Sequence, residues 1–245
     1  MDGFNLWFTV RGYDGKFKIK NFVITDKKIL KFARMIKNII FDLGGVIIDL
    51  QRIKAVEALD RLGIKDASAL LGEYAQKGPF LMLETGEISE AEIYDILLPQ
   101  CNPDVTCGDL RDAFEEFLRD LPVERLRMLE KLREKGYKLY VLSNTNPLMF
   151  NHWIDNAFRN DGKSMNDYFD GIVVSYQERM CKPDPDIFRR VVERFGLDPA
   201  ETLMLDDSEA NVKAAESVGL KAKRILPSGE DSVLEVCQGL LKDKD

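Results

Sequence analysis

IKNIIFDLGGVIIDL (residues 36–50) runs apolar, meets a carboxylate and two glycines, and turns apolar again. The first half predicts a short strand over residues 39–43, with Asp42 and Gly44-Gly45 at its carboxyl end. Three further segments share this form. Residues 137–142 end at Ser143-Asn144, residues 170–175 read DGIVVS, and residues 202–205 end at Asp206-Asp207. A weaker fifth run covers 220–226. Short unbroken apolar runs, as opposed to alternating ones, suit strands buried on both faces of a parallel sheet.

Helical patterns lie between these runs. Asp184-Pro185 caps and opens a helix whose inner face is Ile187, Phe188, Val191, Val192 and Phe195, with Gly196 as its stop. Ser208 opens another, with Ala214, Ala215 and Val218 inward and Gly219 as its stop. Residues 124–135 make a third. Alternating strands and helices imply right-handed crossovers and an open, mostly parallel α/β sheet. Residues 51–122 break the rhythm. They hold no convincing strand and predict helices over 53–62, 67–75, 89–98 and 110–118, the third carrying a Ser89–Glu92 capping box. This reads as an all-helical cap inserted after the first core strand, with Phe80, Leu81, Met82 and Leu83 as its own core and Glu84 or Thr85 able to face the site. The core is then 35–50 and 123–245. Residues 1–34 read as an appendage, with a hairpin expected in GYDGKFKIKNFVI.

Composition narrows the function classes. The chain has 245 residues, 45% hydrophobic and 31% charged, which excludes a disordered chain. Net charge is −7, yet residues 1–34 carry eight Lys or Arg against three Asp, so the body is the more acidic. An acidic body disfavours nucleic acid and anionic lipid, and no apolar run approaches the ~18 residues of a membrane span. The opening residues MDGFNLWFTVRGYDGK lack a basic region followed by an apolar stretch, so a secretory signal is not expected. Four cysteines without C-x-x-C spacing fit free thiols in a cytoplasmic protein. The single histidine, His152, excludes sites built on histidine clusters. It falls in an aromatic helix, where packing or capping is the expectation.

In open parallel sheets, ligands bind beyond the carboxyl ends of the strands. Those ends here deliver Asp42, Ser143, Asn144, Asp206 and Asp207, and the loop after the third strand delivers Lys182. Three carboxylates brought together repel unless a cation lies between them. An oxygen-only set with no His or Cys favours Mg²⁺ over zinc. A lysine and a hydroxyl nearby would hold phosphoryl oxygens, and Asp42 could attack phosphorus as a nucleophile.

These residues sit in four motifs, in order: IIFDLGGV, YVLSN, CKPDPDIF and LMLDDSEANVKAA. Together they resemble the haloacid dehalogenase superfamily of hydrolases, over about residues 36–241. The resemblance implies a Rossmann-like core with a helical cap, and a magnesium-dependent phosphatase acting through an aspartyl phosphate. It makes Asp42 the nucleophile, Ser143 and Lys182 the phosphate-binding pair, and Gly44, Gly45 and Asn144 their neighbours at the substrate. Asp207 becomes the main metal ligand beside Asp42 and the Gly44 carbonyl, with Asp206 secondary and Asn211 orienting the metal site. One position departs from the pattern: Gly44 stands where most phosphatases of the superfamily have the acid that protonates the leaving group. The expected substrate is a small phosphorylated metabolite, a sugar phosphate being one candidate, and the protein is expected to be a monomer or weak dimer. The alternatives are a metal-independent dehalogenase, against which the Asp206-Asp207 pair argues, and a non-catalytic phosphate-binding or regulatory protein, which Gly44 suggests.

Overall fold

The computed structural model describes residues 5–11, 17–23, 36–72, 76–160 and 162–242. Two antiparallel strands, β1 (Asn5–Arg11) and β2 (Phe17–Val23), form a hairpin, but its first strand precedes the segment 12–24 in which a hairpin was expected, and only its second lies there. The rest of residues 1–34 lies outside the described residues.

Each continuous apolar run becomes a strand. β3 (Asn38–Phe41), β6 (Lys138–Ser143), β7 (Gly171–Val174), β8 (Thr202–Asp206) and β9 (Lys221–Arg224) make one parallel sheet in the order β7-β6-β3-β8-β9. Ile39 faces Leu139 on one side and Leu203 on the other. Successive side chains of a strand point to opposite faces, so the run splits into two cores. Ile39, Phe41, Leu139, Val141, Leu203 and Leu205 join the larger cluster. Ile40, Tyr140, Leu142, Val173 and Met204 join the smaller, packed on Ile187, Phe188 and Val191. Burying side chains of this size stabilises by about 1.5–3 kcal/mol each. This is an α/β, Rossmann-like arrangement.

The helix under the second core forms as its sequence dictates. Asp184 accepts the backbone N–H of Asp186 at 2.9 Å, Pro185 opens the first turn, and the helix runs Pro185–Phe195 before Gly196 turns left-handed at φ 60°. The aspartates at its start are thus capping groups. The helix beyond β8 (Glu209–Ser217) likewise begins after Ser208 and stops before Gly219, at φ 89°.

Between β3 and β6 the chain is largely helical, as read, with some differences. A short ribbon pairs β4 (Asp49–Leu50) with β5 (Leu118–Asp120) where the chain enters and leaves the inserted helices. One buried residue in three gives β5 no alternation to detect. The helices are Arg52–Arg61, Ala67–Leu70, Gly78–Glu84, Glu90–Leu97 and Cys107–Glu115. The helix expected over 67–75 ends at Leu70, and residues 73–75 lie outside the described set. Gly78–Glu84 is a helix where only apolar core was read. Its Phe80 ring packs edge-on against Phe114 at 4.8 Å, tying two inserted helices together. No helix among the described residues is long and apolar enough to cross a membrane.

Candidate active site

The parallel sheet brings three strand ends side by side. Asp42 directly follows β3, and its N–H donates to the Leu205 carbonyl at 2.9 Å, so the ladder with β8 runs one step past the strand. The chain then folds on itself, with the N–H groups of Ile47 and Ile48 both donating to the Leu43 carbonyl at 2.8 and 2.7 Å. Gly45 sits in this turn at φ 71°, and a Cβ there would lie 2.5 Å from Asp207 Oδ2. Only glycine accepts both the dihedral and the contact.

Lys182 is the centre of the site. Its side chain is 1% exposed, and its Nζ lies 2.9 Å from Asp42 Oδ1 and 2.7 Å from Asp206 Oδ2. Asn144 holds it there. The Asn144 amide donates to the Lys182 carbonyl and accepts the Lys182 N–H, both at 2.8 Å, so both ends of that side chain are engaged by the Lys182 backbone. Asp206 is fully buried, and its other oxygen accepts from Ser208 N–H and Asn211 Nδ2, both at 2.9 Å. Ser143, at the end of β6, is 2% exposed and lines the same cavity as Asp42, Lys182, Asp207 and Asn211. Every residue read as part of the site is therefore brought to one place.

The charges do not balance. Carboxylate oxygens of Asp42, Asp206 and Asp207 lie within 4.8 Å of one another, with one lysine among them. Burial raises the Asp42 carboxyl to about 7; Lys182 pulls it down, and Asp206 and Asp207 push it up again. Burial and then Asp206 also raise Asp207. Burial works to strip the Lys182 proton, but Asp206 and Asp42 outweigh it and bind that proton more firmly than usual. A buried cluster with surplus negative charge fits a divalent cation. Its donors are all oxygen, the set that suits Mg²⁺. Asp42 and Asp207 would hold the ion, with Asp206 beside them.

The rest of the lining was less legible. The cavity, about 100 Å³, is also lined by Leu50, Phe117, Leu118, Met149 and Ile154 together with Gln76 and Glu84. Of the two residues expected to face the site, Glu84 does, at 7% exposure. The Thr85 hydroxyl donates back to the Leu81 carbonyl at 3.0 Å. Gln76 was not foreseen, since it follows no recognisable motif. Glu84 carried a signal: a carboxylate on the same helical stripe as the buried Phe80. His152 lies away from this cavity and meets Glu90 of the inserted helices at 3.3 Å.

The comparisons agree with the geometry. A D-ribitol-5-phosphate phosphatase of Bacteroides thetaiotaomicron is 38% identical over 187 residues, covering 76% of this chain and 90% of that protein. A glyceraldehyde 3-phosphate phosphatase of Pyrococcus abyssi is 29% identical over 209 residues, covering 76% of this chain and 80% of that one. A solved HAD family enzyme of Bacteroides thetaiotaomicron, in complex with magnesium and inorganic phosphate, matches with a TM-score of 0.73 at 36% identity, over 79% of this chain and 96% of that chain. A family model described as haloacid dehalogenase-like hydrolase matches residues 36–219, a span that contains all the strand-end residues above. The chain belongs to the haloacid dehalogenase-like hydrolase family.

Proposed function

We propose that this protein is a magnesium-dependent phosphomonoesterase acting on a small phosphorylated polyol or sugar. The observation that carries the reading is the Lys182 amine bridging Asp42 and Asp206 at 2.9 and 2.7 Å, beside a third carboxylate. Such a cluster suits a phosphate dianion and one divalent ion. Mg²⁺, when bound, neutralises charge among the carboxylates and on the phosphoryl oxygens.

The chain's own residues supply the rest. Ser143 and Lys182 hold non-bridging phosphoryl oxygens by hydrogen bond and charge. Lys182 also fixes the Asp42 carboxylate, which attacks phosphorus and forms an aspartyl phosphate that water then hydrolyses. Asn144 and Asn211 position Lys182 and Asp206 through the bonds described above. The inserted segment 51–122 acts as a cap over a core of 35–50 and 123–245, and its closure over a cavity this small favours soluble metabolites over phosphoproteins. The polyol or sugar preference is supported by the substrates for which the phosphatase relatives are named. Free thiols at Cys101, Cys107, Cys181 and Cys237 support a reducing, cytoplasmic setting, with the protein a monomer or weak dimer.

The test is hydrolysis of p-nitrophenyl phosphate with Mg²⁺, with a chelator, and by Asp42→Asn. Turnover in the first condition alone is expected. Chloride release from a haloacid without metal would replace this reading with a dehalogenase, and magnesium binding without either activity would replace it with a phosphate-binding protein.

A further inference from the structure

Gly44 offers no side chain to protonate the departing oxygen, and the space beside it is already filled. A Cβ at Gly44 would lie 3.2 Å from Leu50 Cδ1, so this side of the cavity is apolar. Among the described residues lining the cavity, three carry carboxylates: Asp42, Asp207 and Glu84. The first two belong to the charged floor. Glu84 comes from the inserted helices, at the last turn of Gly78–Glu84. No ion pair to it is found among the described residues, and Lys182 is the cation that acts on it from further off. The hydrogen-bond partners of Glu84 are neutral: a side-chain hydrogen bond from Gln76, and the Cys181 thiol at 3.9 Å from Oε1.

Its place is enforced from outside the cavity. Gly86, two residues on at φ 68°, presses against the Tyr176 carbonyl so closely that any side chain would overlap it. The Cys181 thiol also donates to the Glu84 carbonyl at 3.8 Å, and Cys181 adjoins Lys182. Helix end and lysine loop are thereby held together. A cavity of about 100 Å³ has room for about three waters. Ser143 and Lys182, which would hold a phosphoryl group, line the same small cavity as Glu84.

We propose that Glu84 is the general acid and base of this enzyme, supplied by the inserted helices in place of the acid that Gly44 lacks. The proposal rests on the phosphatase reading above. As Asp42 bonds to phosphorus and the bond from phosphorus to the ester oxygen breaks, the Glu84 proton passes to that oxygen and the alcohol leaves neutral. The Glu84 carboxylate then takes a proton from the water whose oxygen attacks the aspartyl phosphate, which restores the acid. Burial raises the Glu84 carboxyl to about 7, with Lys182, the charged group facing it, pulling it down, so both protonation states are accessible near neutrality. Gln76 Oε1, buried without a hydrogen-bond partner, offers an acceptor for a hydroxyl of the same leaving group.

The experiment measures kcat/KM for phosphate monoesters from p-nitrophenyl to simple alkyl, in the wild type and Glu84→Gln, with Mg²⁺. The wild type is expected to depend weakly on leaving-group basicity. Glu84→Gln is expected to lose about 10²–10⁴-fold on alkyl phosphates and less than about 10-fold on p-nitrophenyl phosphate, whose leaving group needs no proton. Retained aryl turnover also reports a folded site. Equal losses on both classes, or undiminished alkyl turnover, would overturn the proposal. Should the variant not fold, a steep dependence on leaving-group basicity in the wild type overturns it and a shallow one upholds it. Absence of any magnesium-dependent turnover in the wild type would instead overturn the phosphatase reading.

Discussion

The floor and the roof of this cavity are built on opposite principles. The floor is dense in charge: Asp42, Asp206, Asp207 and Lys182 all stand at strand ends or on the loop beyond one, and Asp42, Asp206 and Lys182 are locked by bonds of 2.7–2.9 Å. The roof, the rest of the lining, is mostly apolar, with Leu50, Phe117, Leu118, Met149 and Ile154 beside Gln76 and a single carboxyl, Glu84. Charge on a rigid sheet edge can be preorganised for one chemical step, which is where electrostatic stabilisation is largest. The roof's side chains come from separate pieces, the β4–β5 ribbon, the inserted helices and the Met149–Ile154 turn, and can vary without moving the sheet edge. On this reading the floor binds and attacks the phosphoryl group, and the roof meets the leaving alcohol, with Glu84 as its acid.

Four substitutions would break or sharpen this contrast. Asp42→Asn is expected to lower turnover of p-nitrophenyl phosphate by about 10⁴-fold or more, since it removes the attacking group; residual activity close to wild type would place the nucleophile elsewhere. Lys182→Met leaves Asp42 and Asp206 without their cation. It should cost about 3–5 kcal/mol in urea unfolding without metal, and a neutral result would show that the carboxylates are not held by it. Gly45→Ala must strain its backbone and push Asp207 aside. A loss of about 1–3 kcal/mol is expected, with weaker Mg²⁺ binding by calorimetry; intact binding would mean that Asp207 tolerates displacement.

The smallest effect comes from the roof. The folded-state pKa of Glu84 is raised from 4.5 to about 7, so between these values the folded protein binds more protons than the unfolded chain. Stability from this group is therefore full at low pH and falls as pH rises towards 7, by an amount on the order of 1–3 kcal/mol. Glu84→Gln should flatten that fall when unfolding is compared at pH 5 and pH 8. Parallel wild-type and variant slopes would show that Glu84 titrates normally.

Legibility followed the same divide. The five core strands appear within a residue or two of where their runs lie; the central ones, buried on both faces, leave an unbroken local signal, while the half-exposed edge strand β9 left the weaker one. The floor carboxylates were readable for a related reason: each follows such a run, and Lys182 lies in the loop after another. In the inserted segment, the helix expected over 110–118 instead spans Cys107–Glu115, since the Thr106–Asp109 capping box sets its start, and apolar spacing alone does not reveal that cap. Gly78–Glu84 was masked by its short length, and β5 by having three residues.

Sequence by itself therefore determined the layered α/β core, the set of carboxylates and the lysine among them, because these rest on local burial patterns and on residue types at strand ends. Only the tertiary structure decided that both ends of the Asn144 amide clamp the Lys182 backbone, that Leu50 lies against the space beside Gly44, and that Glu84 of the inserted helices lines the same cavity. Those facts depend on how separate segments dock, and docking is set by shape and packing across residues distant in the chain, which no local pattern records.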